Sequence, residues 1–151
     1  MITGIHHTAL TVADMDRSLA FYCGLFGLEV QSDREVERDY VEVITGVPGA
    51  HQRLVHLWGY GQRIELLEYK APRGEPRARR LQDAGSAHLC FITDDLDAEV
   101  ERLREAGVTF RSLPVTTTSG PNKGGRGIYV EDPDGNACEV VQLAPTTGGA
   151  V

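Results

Sequence analysis

The sequence predicts an α+β protein built from two copies of one pattern, and three observations lead there. An alternating apolar stretch begins at a histidine twice, at His7 and at His88. In both copies an Asp follows seven residues later (Asp14, Asp95) and another nine residues later (Asp16, Asp97), with an apolar Met15 or Leu96 between. Both copies close on a strand with Glu in second place, Ile64-Glu65-Leu66-Leu67-Glu68-Tyr69 and Cys138-Glu139-Val140-Val141-Gln142-Leu143.

Each element follows from local pattern. After the acidic pair the apolar residues take helical spacing: Leu19, Tyr22, Leu25 and Phe26 in the first copy, Val100, Leu103 and Ala106 in the second. The aspartates suit the first turn, where they cap backbone N–H groups and meet the positive end of the dipole. Gly27 and Gly107 stand where a helix ends. Tyr40–Thr45, Gln52–Trp58 and Gly127–Glu131 alternate or are β-rich and read as strands. Gly46-Val47-Pro48-Gly49 and Asp132-Pro133-Asp134-Gly135-Asn136 are turns, the second a hairpin loop. The glycine-rich stretch Thr116–Gly127 reads as a mobile loop, and Lys70–Ser86 as a linker.

Composition narrows the functional classes. With 41% hydrophobic and 25% charged residues over 151 positions, the chain can bury a core and is too apolar for disorder. A formal charge of −7 repels phosphate backbones, which argues against a nucleic-acid partner. No apolar run is long enough to span a membrane. The opening MITGIHHTALTV lacks the basic and apolar regions of a signal peptide. Cys23, Cys90 and Cys138 are isolated, which points to a reducing, cytoplasmic setting and away from disulfides or a thiolate zinc site.

If the copies are related by a pseudo-twofold axis, equivalent positions come together as His7, Glu65, His88 and Glu139. Two imidazoles and two carboxylates suit one six-coordinate divalent ion (Mn, Fe, Co, Ni or Zn) and leave two positions open. Glu68 falls at the opposite strand parity from Glu65.

The stretches Ile5–Val12, Phe21–Leu28, Ala87-His88-Leu89 and Asp132–Asn136 with Glu139 resemble the vicinal oxygen chelate superfamily, over roughly residues 3–144. That superfamily contains glyoxalase I, methylmalonyl-CoA epimerase, extradiol dioxygenases, fosfomycin-resistance transferases and bleomycin-binding proteins. The resemblance implies tandem βαβββ modules that form an open, metal-lined β-cup. It implies one domain over 1–151, with module 1 at about 3–70, a linker at about 71–85 and module 2 at about 86–144. It selects His7 rather than His6 as the first ligand. Glyoxalase I is similar in having His, Glu, His, Glu; the epimerase has Gln where Glu65 stands, and three-ligand members do not need that position. The implied activity is that of a metal-dependent lyase or isomerase, glyoxalase I-like or epimerase-like. It would stabilise an enediolate from a small 2-oxo or hydroxy-carbonyl substrate, with Glu139 and Glu65 as candidate bases. An Fe(II) ring-cleaving dioxygenase and a non-catalytic antibiotic-binding protein are the alternatives.

Tyr129, ten residues before Glu139 across the hairpin, matches a substrate-contacting position of several subfamilies. Lys123 and Arg126 are candidates to close over an anionic substrate, whereas Arg73, Arg77, Arg79 and Arg80 read as solvated linker charges rather than as a CoA-phosphate site. Cys90 shares the strand parity of His88 and would line the cup. His6, His51 and His56 have no counterpart and receive no role. The expected partners are a small-molecule substrate and a second copy of the chain, as a homodimer whose sheet edges pair.

Overall fold

A computed structural model describes residues 1–37, 39–75 and 80–145. The chain divides into two compact units, Met1–Arg77 and Ala78–Val151. Arg77 and Arg79 lie outside the described residues. Among the described residues no helix is long and apolar enough to cross a membrane. No disulfide joins Cys23, Cys90 and Cys138.

The first unit runs β1 (Thr8–Thr11), α1 (Met15–Tyr22), β2 (Glu29–Glu37), α2 (Asp39–Thr45), β3 (His51–Gly59) and β4 (Gln62–Ala71). Its open sheet has the order β1-β4-β3-β2, with β1 parallel to β4 and the other pairs antiparallel. The second unit runs β5 (Leu89–Thr93), α3 (Leu96–Glu105), β6 (Thr109–Phe110), β7 (Val115–Thr116), β8 (Arg126–Glu131) and β9 (Ala137–Gln142). Its sheet is β5-β9-β8-β6, with β5 parallel to β9. β6 and β7 pair with opposite ends of β8, so together they occupy the edge that β2 fills alone. The α+β fold with two open sheets is the one the repeat predicts.

The helices start where the aspartates dictate. Asp14 accepts from the Arg17 backbone N–H at 2.9 Å, and Asp95 from that of Ala98 at 3.0 Å. A second matched device fastens each helix to its last strand. Glu68 on β4 accepts from the Met15 N–H, and Gln142 on β9 from the Leu96 N–H, each at 3.3 Å. Glu68 is therefore buried, not solvent-facing, and is joined by Lys70 at 2.7 Å. The helix side of each sheet is the core: Val55, Leu57, Ile64 and Leu66 with Met15 and Tyr22, then Ile128, Val130, Cys138 and Val140 with Leu96, Val100 and Leu103.

Three expectations need correction. Tyr40–Thr45 is helical, because α2 spans those residues. Only Val41 of its apolar residues is buried, while Val43 and Ile44 stay exposed, so the alternation marks no buried strand face. The Thr45 hydroxyl bonds back to the Val41 carbonyl at 2.6 Å, and the turn closes at Gly46 with φ +67°. Thr116–Gly127 is a bonded hairpin loop: Thr117 N–H donates to Gly125 O, Gly124 N–H to Thr117 O, and Ala144 N–H to the Asn122 side chain. Finally, β4 reaches Ala71, so the strand takes up the start of the expected linker.

The first prediction tests the core. Leu66→Ala removes a fully buried side chain and should cost about 2–5 kcal/mol by urea denaturation. Val43→Ala, at an 83% exposed site, should stay within about 0.5 kcal/mol. Equal effects would contradict the assigned core.

A second prediction concerns Arg126. It forks onto Asp97 in the first turn of α3, at 2.7 and 2.8 Å. Hydrogen bonding to Arg126 lowers the Asp97 carboxyl below its ordinary 3.8. A lowered folded pKa means stabilisation that is complete above the ordinary carboxylate range and lost as pH falls through the folded value. Asp97→Asn should therefore lower Tm at neutral pH, and the gap from the parent should close as pH falls through the lowered folded value. A gap that is independent of pH would disprove the assignment.

Candidate metal centre

The last strand of each unit, β4 or β9, is its axis, because it has a parallel neighbour on one side and an antiparallel neighbour on the other. In the first unit Glu65 stands opposite Ala9 of β1 and opposite His56 of β3, and His56 stands opposite Ser32 of β2. His7 lies two residues before Ala9, so it shares that face. In the second unit Glu139 stands opposite Cys90 of β5 and Tyr129 of β8, with His88 two residues before Cys90. Position by position, Ala9 corresponds to Cys90, His56 to Tyr129, and the His–Glu pairs to one another.

The side chains meet as the register requires. His7 Nε2 is 3.3 Å from Glu65 Oε2, and His88 Nε2 is 3.2 Å from Glu139 Oε2. Both pairs face away from the helices, opposite Glu68 and Gln142. Sequence reasoning missed His56, whose Nε2 donates to Glu65 Oε1 at 2.8 Å while its Nδ1 is 3.2 Å from Ser32 Oγ. The ligating atoms of His7, His56 and Glu65 all lie within 4.8 Å of one another. His56 stands nine residues before Glu65, one fewer than separates Tyr129 from Glu139, so the ten-residue count falls on Val55 instead. His6 adds a further imidazole, its Nδ1 2.9 Å from His7 Nδ1, and it also meets Arg63. His51 pairs with Glu35 at 3.1 Å, away from this cluster.

The two carboxylates sit in different company. Glu65 is buried and has an imidazole at each oxygen. Glu139 is more open, with 25% of its side chain exposed against 11% for Glu65. Its other neighbours are the Cys90 thiol, pushed up to about 12 by burial and by the Glu139 charge, and the Tyr129 phenol, raised by the same two causes. Both stay protonated at neutral pH and present hydrogens toward Glu139. Tyr129 Oη also lies 3.3 Å from His88 Nε2.

A concavity of about 390 Å³ opens on this face of the second unit. Cys90, Tyr129, Glu139, Asn122, Val141 and Leu143 contribute to its lining. Gly127 belongs to the wall: a Cβ there would stand 3.3 Å from Val141 and 3.7 Å from Glu139 Oε1. Arg126 has the opposite strand parity and is held by Asp97, Lys123 is exposed on the loop, and Arg80 pairs locally with Asp83. Cys90 lines the concavity, as its parity predicts.

The donor set is imidazole nitrogen and carboxylate oxygen, which suits Mn²⁺, Fe²⁺, Co²⁺, Ni²⁺ or Zn²⁺ and not a hard all-oxygen site. His7 Nε2 and Glu65 Oε2, 3.3 Å apart, stand close enough to bind one such ion together.

The chain is 31% identical over 144 residues to a 2-epi-5-epi-valiolone epimerase from Actinomyces sp, covering 92% of this chain and 79% of the relative. It is 29% identical over 152 residues to a lactoylglutathione lyase from Haemophilus influenzae, covering 96% of each. A putative lactoylglutathione lyase from Brassica oleracea var. gemmifera is longer, and the alignment spans 44% of it. Among solved structures, a glyoxalase family protein from Bacillus cereus superposes with a TM-score of 0.82 over 95% of this chain and 96% of that one, at 19% identity, a likeness of fold. Residues 4–140 match the profile of one family, and the chain belongs to it: the glyoxalase/bleomycin resistance protein/dioxygenase superfamily.

Proposed function

We propose that this protein is a metal-dependent isomerase or lyase that relocates the proton on a carbon next to a carbonyl, in a small, uncharged hydroxy ketone. The observation that carries the reading is Glu139, a carboxylate that faces a concavity and is attended by groups that keep their protons. In this reading His7, Glu65, His88 and Glu139 are the metal ligands. The bound ion supplies Lewis-acid stabilisation of the negative charge that develops on the substrate oxygens.

Glu139 takes the proton from the α-carbon and returns it to the other face or to the neighbouring carbon. Its openness gives it the freedom to swing between substrate positions, whereas Glu65 is held at both oxygens. Tyr129, kept protonated, donates to a substrate oxygen and limits where the substrate lies. The wall residues Val141 and Leu143 add apolar surface beside these polar contacts.

The lining also supports the substrate class. Among the described residues Glu139 is the one charged group lining the concavity, and its other polar groups are hydroxyls, a thiol and an amide. A glutathione or CoA carrier brings several negative charges that call for cations. Lys123 and Arg126 do not line this wall. The relative named as an epimerase supports proton return to the opposite face. A homodimer, tested by sedimentation at micromolar concentration, belongs to the same proposal.

Two measurements test the reading. Purified protein should carry about one divalent ion per chain, removable by chelator, and His88→Ala should abolish tight binding. Stoichiometric metal retained by the double variant His7→Ala/His88→Ala would refute the ligand set. With uncharged polyhydroxy ketones in D₂O, metal-dependent deuterium uptake should appear at the α-carbon. Glu139→Gln should slow that uptake by about 10²–10⁴-fold, and Glu65→Gln by less. Oxygen consumption without isotope uptake would move the protein to the ring-cleaving class.

A further inference from the structure

We infer that His56 is a positioning residue that fixes the Glu65 carboxylate in the orientation a metal ion needs. The inference rests on the proposed ligand set and adds a residue that the repeat does not supply.

Three strands hold this arrangement. Ser32, His56 and Glu65 are successive partners across β2, β3 and β4, so their side chains stand in one row on one face. The imidazole is anchored at Nδ1 by Ser32 Oγ and donates through Nε2 to Glu65 Oε1. That leaves Oε2 turned toward His7 Nε2. One oxygen is thus assigned to His56 and the other to the side where the first ligand stands. A carboxylate fixed in this way has already given up the rotational freedom that ion binding would otherwise remove. An imidazole suits the task because its two nitrogens can be held by one neighbour and hold another.

The second unit supplies an internal control. The same row position carries Tyr129, whose single oxygen lies near His88. There the carboxylate has one imidazole neighbour and is more exposed. The backbone frame is shared, so the difference in restraint lies in the side chains beside the carboxylate, and only the first unit places an imidazole at this row position.

Co²⁺ titration of the metal-free full-length chain tests the role, with paramagnetic ¹H NMR to count the imidazole N–H signals shifted by the ion. His56→Ala should raise the Kd for Co²⁺ by about 10- to 100-fold and leave unchanged the number of signals with the large contact shift of a directly bonded imidazole. His56→Gln, whose amide can still donate to Glu65, should recover most of the affinity. Loss of one signal with the large contact shift of a directly Co²⁺-bonded imidazole in His56→Ala would make His56 a ligand and overturn the positioning role. So would unchanged affinity in His56→Ala, or a Gln variant no better than Ala. Failure of the parent chain to bind Co²⁺ would instead remove the ligand set itself. Binding that is lost in His7→Ala/His88→Ala but untouched in His56→Ala would remove this inference alone.

Discussion

The pairing of each unit's first strand, in parallel, with its last is the constraint on which the rest depends. β1 and β5 are short, and each is separated by some fifty residues from the strand it joins. This pairing brings His7 to Glu65 and His88 to Glu139. Strand side chains alternate faces, so a slip of one residue would turn each carboxylate into the helix-side core and bring an apolar residue out. The buried rows Ile64–Leu66 and Cys138–Val140 oppose that slip. The hydrophobic side of the sheet therefore fixes the chemistry on its other side.

On this shared frame the units differ by a few side chains. Ala9, Glu65, His56 and Ser32 form one row; Cys90, Glu139 and Tyr129 form the other. The first row closes around its carboxylate, and the second leaves a wall open. The structural devices match more closely: Asp14 and Asp95 cap, Glu68 and Gln142 hold the helix ends. The frame positions and the His–Glu pairs match across the repeat, whereas the neighbours of the carboxylate differ: Ala9 against Cys90 and His56 against Tyr129.

Much of this was legible in the sequence because it rests on local chemistry repeated twice. An Asp before a helix, a Gly after it and a Glu in an apolar strand each carry their own signal. α2 was not legible, because Tyr-Val-Glu-Val-Ile-Thr alternates as a strand does and only its surroundings decide otherwise. The anchoring of Arg126 by Asp97 joins residues 29 positions apart, with no periodicity between them. His56 escaped for two reasons. Its counterpart is chemically unlike it, and the hairpin loops differ: Tyr60-Gly61 is a two-residue turn with both φ positive, whereas the second loop takes five residues from Asp132 to Asn136. The offset from the Glu thus changes from nine residues to ten, and a fixed-spacing comparison passes over it.

The tight Tyr60-Gly61 turn has a consequence in time. A hairpin joined by two residues zips up within about 1–10 μs, because its ends are already neighbours. β1 must instead close a loop of some fifty residues before it gains any contact, and such pairings raise contact order and slow folding. His56 and Glu65 therefore meet early and His7 arrives afterwards, so the imidazole–carboxylate pair that flanks the ligand set is in place before the set is complete.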